Sequence, residues 1–438
     1  MTLALFIFFV VYQIIQTLAA PLIIIAIGIM QLKRPLMGNI AQRLGIVPRS
    51  TPGRRTIWLH AVSVGEVLSL QELIITLKNA NPTTDCYVTV GTVTGMRMAQ
   101  TQLSQVDHVS YLPYDFLFPM VLAYSRIKPA ALIIVESDLW PNLVMLGKLS
   151  KTPLVLLNAR ISERSRKRPA FIQKLFARLY DCFDIILAQS EQDKKIFEFL
   201  GVAASVQVLG NLKTYNVVGK KERMESRSCP EKRPYVTLLI GSLHPGEADI
   251  YLTMFMRLRT THHDLKLILA PRHFGWQEEL ITKTKNTGLR VFVWTEGDVP
   301  PLTQPESRDQ KLHELLEHYD IILVCTLGEL FSLYQYADLF FLGGTFVPVG
   351  GHNLLEPAVW GIPPIVGPYY HNCTDIVQRL TDVKGIAQVD TPKALEVITR
   401  TLLDDQELRH TMGTKCQTWL YHEAHQVQKA IAHLVKEL

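Results

Sequence analysis

Gly343-Gly344-Thr345-Phe346-Val347-Pro348-Val349-Gly350-Gly351-His352-Asn353-Leu354-Leu355-Glu356-Pro357 reads as a strand end, a glycine-rich turn and the start of a helix. Gly350 and Gly351 let the backbone turn without Cβ clashes, and the helix that follows offers unpaired N–H groups to an anion. Asn353 and Glu356 are three apart, so both are expected on one helical face just behind that anion. A phosphate at the turn, with a sugar or base held by Asn353 and Glu356, suits a nucleotide-sugar ligand. A plain strand-to-helix turn with Pro357 in the first helical turn leaves the same signature.

Working outward, short apolar runs alternate with amphipathic segments in two series, the pattern of parallel α/β sheets. The first series predicts strands at 56–60, 85–90, 108–112, 130–135, 153–157, 185–188 and 206–209. The second predicts strands at 235–240, 265–270, 290–293, 320–324, 339–342, 364–366 and 386–389. Between them 217–234, rich in Lys, Arg, Glu and Ser and ending in Pro230 and Pro234, reads as a linker. The expected fold class is α/β: two doubly wound domains, 33–216 and 235–438, facing each other across a cleft, with the last helix packing back on the first. Ligands in such sheets lie beyond the carboxyl ends of the strands.

The chain carries no Asp, Glu, Lys or Arg before Lys33. That apolar run exceeds the roughly 20 residues a membrane-crossing helix needs. It lacks the basic start and short core of a cleavable signal, so residues 1–32 read as a membrane anchor, with Pro21 placed to kink it. Lys33, Arg34 and Arg43 follow at once, which puts the remaining chain on the cytoplasmic side. Residues 33–215 hold 22 basic and 13 acidic side chains, against 23 and 27 in the rest. A basic half beside an anchor suits an anionic membrane component, and without any nucleic-acid-binding module a nucleic-acid partner is not expected. The six cysteines are scattered with no CxxC pair, which gives neither a zinc site nor a disulfide framework.

Several strand-end constellations carry chemistry. Ser63-Val64-Gly65-Glu66 follows the opening strand, where Glu66 is either a general base toward a hydroxyl or a first-turn charge on a helix dipole. Glu136 ends a strand buried on both faces, an expensive place for a charge, while Asp138 reads as a helix cap. Arg160 and Arg164, after Asn158-Ala159, suit phosphate or carboxylate groups, and Arg166, Lys167 and Arg168 read as a solvated run. Lys213 in Gly210-Asn211-Leu212-Lys213 is placed to offset charge on a departing phosphate. Gly241-Ser242-Leu243-His244-Pro245-Gly246-Glu247, Pro271-Arg272-His273 and Leu327-Gly328-Glu329 repeat the strand, loop, helix grammar in the second half. His244, His273 and His352 raise a metal reading, which the absence of Asp-x-Asp or a close His/carboxylate cluster disfavours, so no metal is expected.

Taken together these motifs, in this order along essentially the whole chain, resemble the 3-deoxy-D-manno-octulosonic acid (Kdo) transferases of lipopolysaccharide synthesis. The resemblance implies a GT-B glycosyltransferase whose first Rossmann-like domain binds acceptor and whose second binds donor. It implies CMP-Kdo as donor, a lipid A precursor (lipid IVA) as acceptor, attachment to the inner-membrane lipids, and no cofactor. By the same resemblance Glu66 is the proton acceptor, and Glu136 and Lys213 stabilise the transition state. Pro271 and Arg272, Leu327, Gly328 and Glu329, and Asn353, Leu354, Leu355 and Glu356 match the CMP-binding segments. Glu136-Ser137-Asp138 departs from the family's Glu-Thr-Glu, which leaves Asp138 outside the expected site. The competing readings are another GT-B enzyme, such as a UDP-sugar transferase or a nucleotide-sugar epimerase, and a non-catalytic membrane-bound nucleotide-sugar binder.

Overall fold

The computed structural model describes residues 3–33, 39–136, 139–161, 169–224, 233–301 and 304–438. It divides into two compact units, residues 1–216 with 423–438, and residues 217–422.

In the first unit the strands are β1 (Thr56–Ala61), β2 (Asp85–Val90), β3 (His108–Tyr111), β4 (Ala131–Val135), β5 (Leu154–Ala159), β6 (Ile185–Ala188) and β7 (Ser205–Val208). They pair in parallel in the order β3-β2-β1-β4-β5-β6-β7. Every residue of β1, β2, β4 and β5 is buried, because helices cover both faces. Alternate side chains feed two cores, with Leu59, Val88 and Ile133 on one face and Trp58, Leu132 and Leu156 on the other.

The second unit repeats the plan with β8 (Val236–Leu243), β9 (Leu265–Pro271), β10 (Val291–Trp294), β11 (Ile321–Val324), β12 (Leu339–Leu342), β13 (Pro364–Val366) and β14 (Ala387–Gln388). The order is β10-β11-β9-β8-β12-β13-β14, again parallel. Each sheet therefore reverses its winding once, between β1 and β4 and between β8 and β12. Those switch points are where α/β sheets open a crevice for ligands.

One expectation needs correction. The segment read as a linker begins inside a helix, Leu212–Glu222, whose Val217 and Val218 are buried. Charge density marked a one-sided helix there, not a loop. Residues 225–232 lie outside the described residues. At the other end, the helix Gln406–Glu437 places Val427, Ile431 and Leu434 in the core of the first unit.

The N-terminal helix runs Leu3–Lys33 with Pro21 inside it. Among the described residues it alone is long and apolar enough to cross a membrane. Its few polar groups are not idle. Tyr12 donates to Asp115 Oδ2 at 2.8 Å, and Gln16 donates to the Asp115 carbonyl and accepts from Asn142 Nδ2. Burial pushes the Asp115 carboxyl up to about 6, against the pull of the Asn142 and Leu143 amides and the Tyr12 hydroxyl. Leu5 is buried in the core of the first unit, whereas Ile14, Ile15, Leu18 and Leu22 stay exposed along the outer face.

Candidate active site

In the first unit the site is built on the β1/β4 switch. After β1 the chain turns at Val62-Ser63 into the helix Val64–Ser69, and Ser63 caps it by accepting the Glu66 N–H. Glu66 closes the capping box from the other side. Its Oε1 accepts from the Ser63 N–H at 3.2 Å and the Ser63 hydroxyl at 2.6 Å, and its Oε2 accepts from the Val62 N–H at 2.7 Å. The residue is only 7% exposed. Each carboxylate oxygen can accept about two hydrogen bonds, so Oε2 retains acceptor capacity while Oε1 is filled. The helix-terminus reading of Glu66 is thus realised, and the cap fixes the orientation of its carboxylate.

Glu136 follows β4 directly, its N–H donating to the Leu157 carbonyl at 2.8 Å, and it holds φ at +64°. Asn158, in the bulge of β5, holds φ at +56° and is buried. Left-handed backbone at residues other than glycine costs about 1–3 kcal/mol and collects at functional sites. Asn158 Oδ1 accepts from the Leu212 N–H at 3.5 Å, which draws in the Asn211 turn that carries exposed Lys213. Arg160 is exposed just past β5, while Arg164 and Asp138 lie outside the described residues. The rim therefore runs Glu66, Glu136, Asn158 and Lys213 along the carboxyl edge of β1, β4 and β5.

In the second unit the site occupies the β8/β12 switch, and here the sequence reading missed the organising residue. Glu247, four residues beyond β8, is fully buried. Its carboxylate accepts from the N–H groups of Gly344 (2.7 Å), Thr345 (3.1 Å), Phe346 (2.9 Å) and His244 (3.1 Å). Burial pushes its carboxyl up, and the four amides pull it back. The glycine-rich turn after β12 is therefore folded around an internal anion. Gly350 and Gly351 both donate to the Gly344 carbonyl, so their N–H groups are engaged within the turn itself. Their φ values of +99° and +66° and the His371 ring against Gly350 leave no room for a side chain.

Asn353 also departs from expectation. The helix is Leu355–Val359, and Asn353 precedes it, its Oδ1 accepting the Leu355 N–H at 3.0 Å. Asparagine competes for local backbone donors and so stops short of the helix, which means Asn353 and Glu356 do not share a helical face. Leu354 and Leu355 are buried, leaving only their backbone for a ligand. Glu356 lies 3.9 Å from Lys220, which packs over the Phe331 ring at 3.8 Å. Burial pushes the Glu356 carboxyl up, opposed by Lys220 and Arg272.

Pro271 ends β9 with Arg272 and His273 exposed beyond it. Leu327 is exposed, Gly328 has φ +85°, and Glu329 is held by the buried Arg308 guanidinium, which also donates to Ser332 Oγ at 3.1 Å. Neither Arg308 nor Lys220 stood out in the sequence. Among the described residues no group of three His, Cys, Asp or Glu is arranged to hold a metal. A cavity of about 450 Å³ lined by Lys148, Thr152, Asp184 and Leu434 lies at the amino ends of β5 and β6, away from this rim.

Residues 38–216 match the family model of 3-deoxy-D-manno-octulosonic-acid transferase (kdotransferase). A 3-deoxy-D-manno-octulosonic acid transferase of Chlamydophila psittaci is 30% identical over 393 residues, covering 88% of this chain and 86% of the relative. The chain belongs to the Kdo transferase family. The enzyme of the same name from Haemophilus influenzae is 29% identical over 412 residues, covering 92% of each chain. The UDP-GlcNAc 2-epimerase of Neisseria meningitidis, bound to UDP-GlcNAc, superposes with a TM-score of 0.51 at 13% identity, over 85% of this chain and all of that one. That likeness shows the fold alone, the GT-B class of two Rossmann-like units. Fold does not separate a Kdo transferase from an epimerase; the sequence relationship does.

Proposed function

We propose that this Kdo transferase moves Kdo from CMP-Kdo to a lipid A precursor with inversion at the anomeric carbon. The observation that carries the reading is the 30% identity to a Kdo transferase over most of both chains. The rim of the first unit supports the roles given to its residues. Glu66 takes the proton of an acceptor hydroxyl at Oε2. The hydroxyl oxygen forms its bond to the anomeric carbon as the bond from that carbon to the phosphate oxygen breaks, and CMP leaves with the electron pair. The Kdo carboxylate and the departing phosphate place two negative charges close together, so a nearby cation such as Lys213 is needed to offset them. Arg160 and Arg164 take the phosphates of the acceptor, and Glu136 acts beside Glu66 from strained backbone.

The donor lies on the second unit against Pro271, Arg272, Leu327, Gly328, Glu329, Asn353 and Glu356, with cations and backbone dipoles in place of a metal ion. The N-terminal helix holds the chain at the inner membrane, its outer apolar face in lipid, and the catalytic units lie on the cytoplasmic face. Nucleotide release tests this reading against other GT-B activities. CMP should appear from CMP-Kdo only when the lipid acceptor is present, in excess EDTA as well as without it. UDP release from a UDP-sugar, or loss of activity on chelation restored by a divalent ion, would overturn it.

A further inference from the structure

His244, the first residue beyond β8, is only 7% exposed, and its Nε2 is buried with no hydrogen-bond partner. Buried polar atoms in folded proteins are nearly always satisfied, so an orphan at a ligand rim calls for a partner that arrives later. Glu247 cannot serve, because its carboxylate is taken up by four backbone N–H groups, that of His244 included. On either side of the His244 ring stand two exposed imidazoles from other elements. His352, from the turn after β12, stacks on it with ring centroids 5.6 Å apart, and His273, from the end of β9, meets it edge-on at 5.8 Å. Arg272 adjoins the group, and it and the neighbouring histidines, after burial, hold the His244 imidazole below its ordinary range. For His352 the order is again burial first, then Arg272 and His273. Three imidazoles and one permanent cation thus meet at the β8/β12 switch, the crevice where this sheet class takes its ligands. Gly344 fits this crowding, since a side chain there would press on the His244 ring.

We infer that His244, flanked by His273 and His352 and backed by Arg272, is an oxyanion subsite for the donor, reached by parting the two exposed rings. The inference rests on the donor reading above and adds to it the residues that grip the charged end of the donor. Two groups of CMP-Kdo share the required chemistry, the phosphate and the sugar carboxylate. Imidazole N–H groups and a guanidinium bind either one.

Titration calorimetry of the detergent-solubilised full chain in EDTA tests this, using CMP, cytidine and Kdo as separate probes. His244→Phe keeps the ring packing and removes the nitrogen. Wild type should bind CMP more tightly than cytidine, and His244→Phe should cut CMP affinity about tenfold or more while leaving cytidine unchanged. Weakening of Kdo instead of CMP would assign the same subsite to the carboxylate. An unchanged preference for CMP over cytidine together with unchanged Kdo binding overturns the inference while the donor reading stands. Should His244→Phe fail to fold, His273→Gln and His352→Gln decide by the same measurements. Wild type that binds neither CMP nor Kdo overturns the donor reading and this inference with it.

Discussion

The two units place a glutamate at the same point and use it differently. In each, a Gly-Glu pair follows the first strand: Gly65-Glu66 in the first turn of the helix after β1, and Gly246-Glu247 at the entry to the helix after β8. Glu66 folds back on its own turn, accepts three hydrogen bonds from Val62 and Ser63, and keeps acceptor capacity on Oε2. Glu247 instead reaches across the switch point to the turn after β12, about a hundred residues away, and takes four backbone N–H groups with no exposure left. The same Gly-Glu pair thus yields one carboxylate with acceptor capacity to spare and one whose acceptor capacity is taken up as a staple. What separates them is the number of donors that saturate each one.

The comparison breaks most visibly at Glu247. Glu247→Ala leaves four amides without an acceptor, which should destabilise the second unit by about 4 kcal/mol or more and abolish CMP binding. A thermal melt unchanged from wild type would show that the staple is dispensable. Next in size is Glu66→Gln, which should lower kcat by about 10²–10⁴-fold while CMP affinity holds, since the general-base function is lost and the shape kept. If Glu66→Gln turned over at the wild-type rate, Glu66 would be a helix cap like any other.

Arg308→Gln sharpens the picture of the second unit. Arg308 acts through Glu329, so its loss should weaken CMP about tenfold with kcat at saturating donor preserved. A fall in kcat without a change in donor affinity would move Glu329 out of the donor site. The smallest effect belongs to Arg160→Ala on the first unit, an exposed charge. It should raise acceptor KM about two- to fivefold at low salt, and the difference should fade as ionic strength rises. A change in donor KM instead would reverse the assignment of donor and acceptor to the two units.

All fourteen strands among the described residues were legible in the sequence, the central ones most plainly, because strands buried on both faces are written as unbroken Val, Ile and Leu runs such as Leu132-Ile133-Ile134-Val135. The loops of the rim were legible for a related reason, as they follow those runs at the carboxyl ends. What escaped was contact at a distance. Glu247 and Gly344 are 97 residues apart, and Arg308 and Glu329 sit on separate segments, so no local pattern links them. The repeated Gly-Glu after each opening strand was the available signal for Glu247. Asn353 shows the reverse failure: spacing of three placed it on a helix, but its own side chain caps Leu355 and starts the helix later. In the segment 217–222, charge hid a buried Val217-Val218 pair, and a helix was read as a linker.

The most direct test of the account is intact-mass analysis of a lipid A precursor incubated with the wild-type chain and CMP-Kdo. The account predicts a precursor heavier by one or more Kdo residues, formed only when both substrates are present. An unchanged precursor mass, from folded protein that binds CMP, would contradict it.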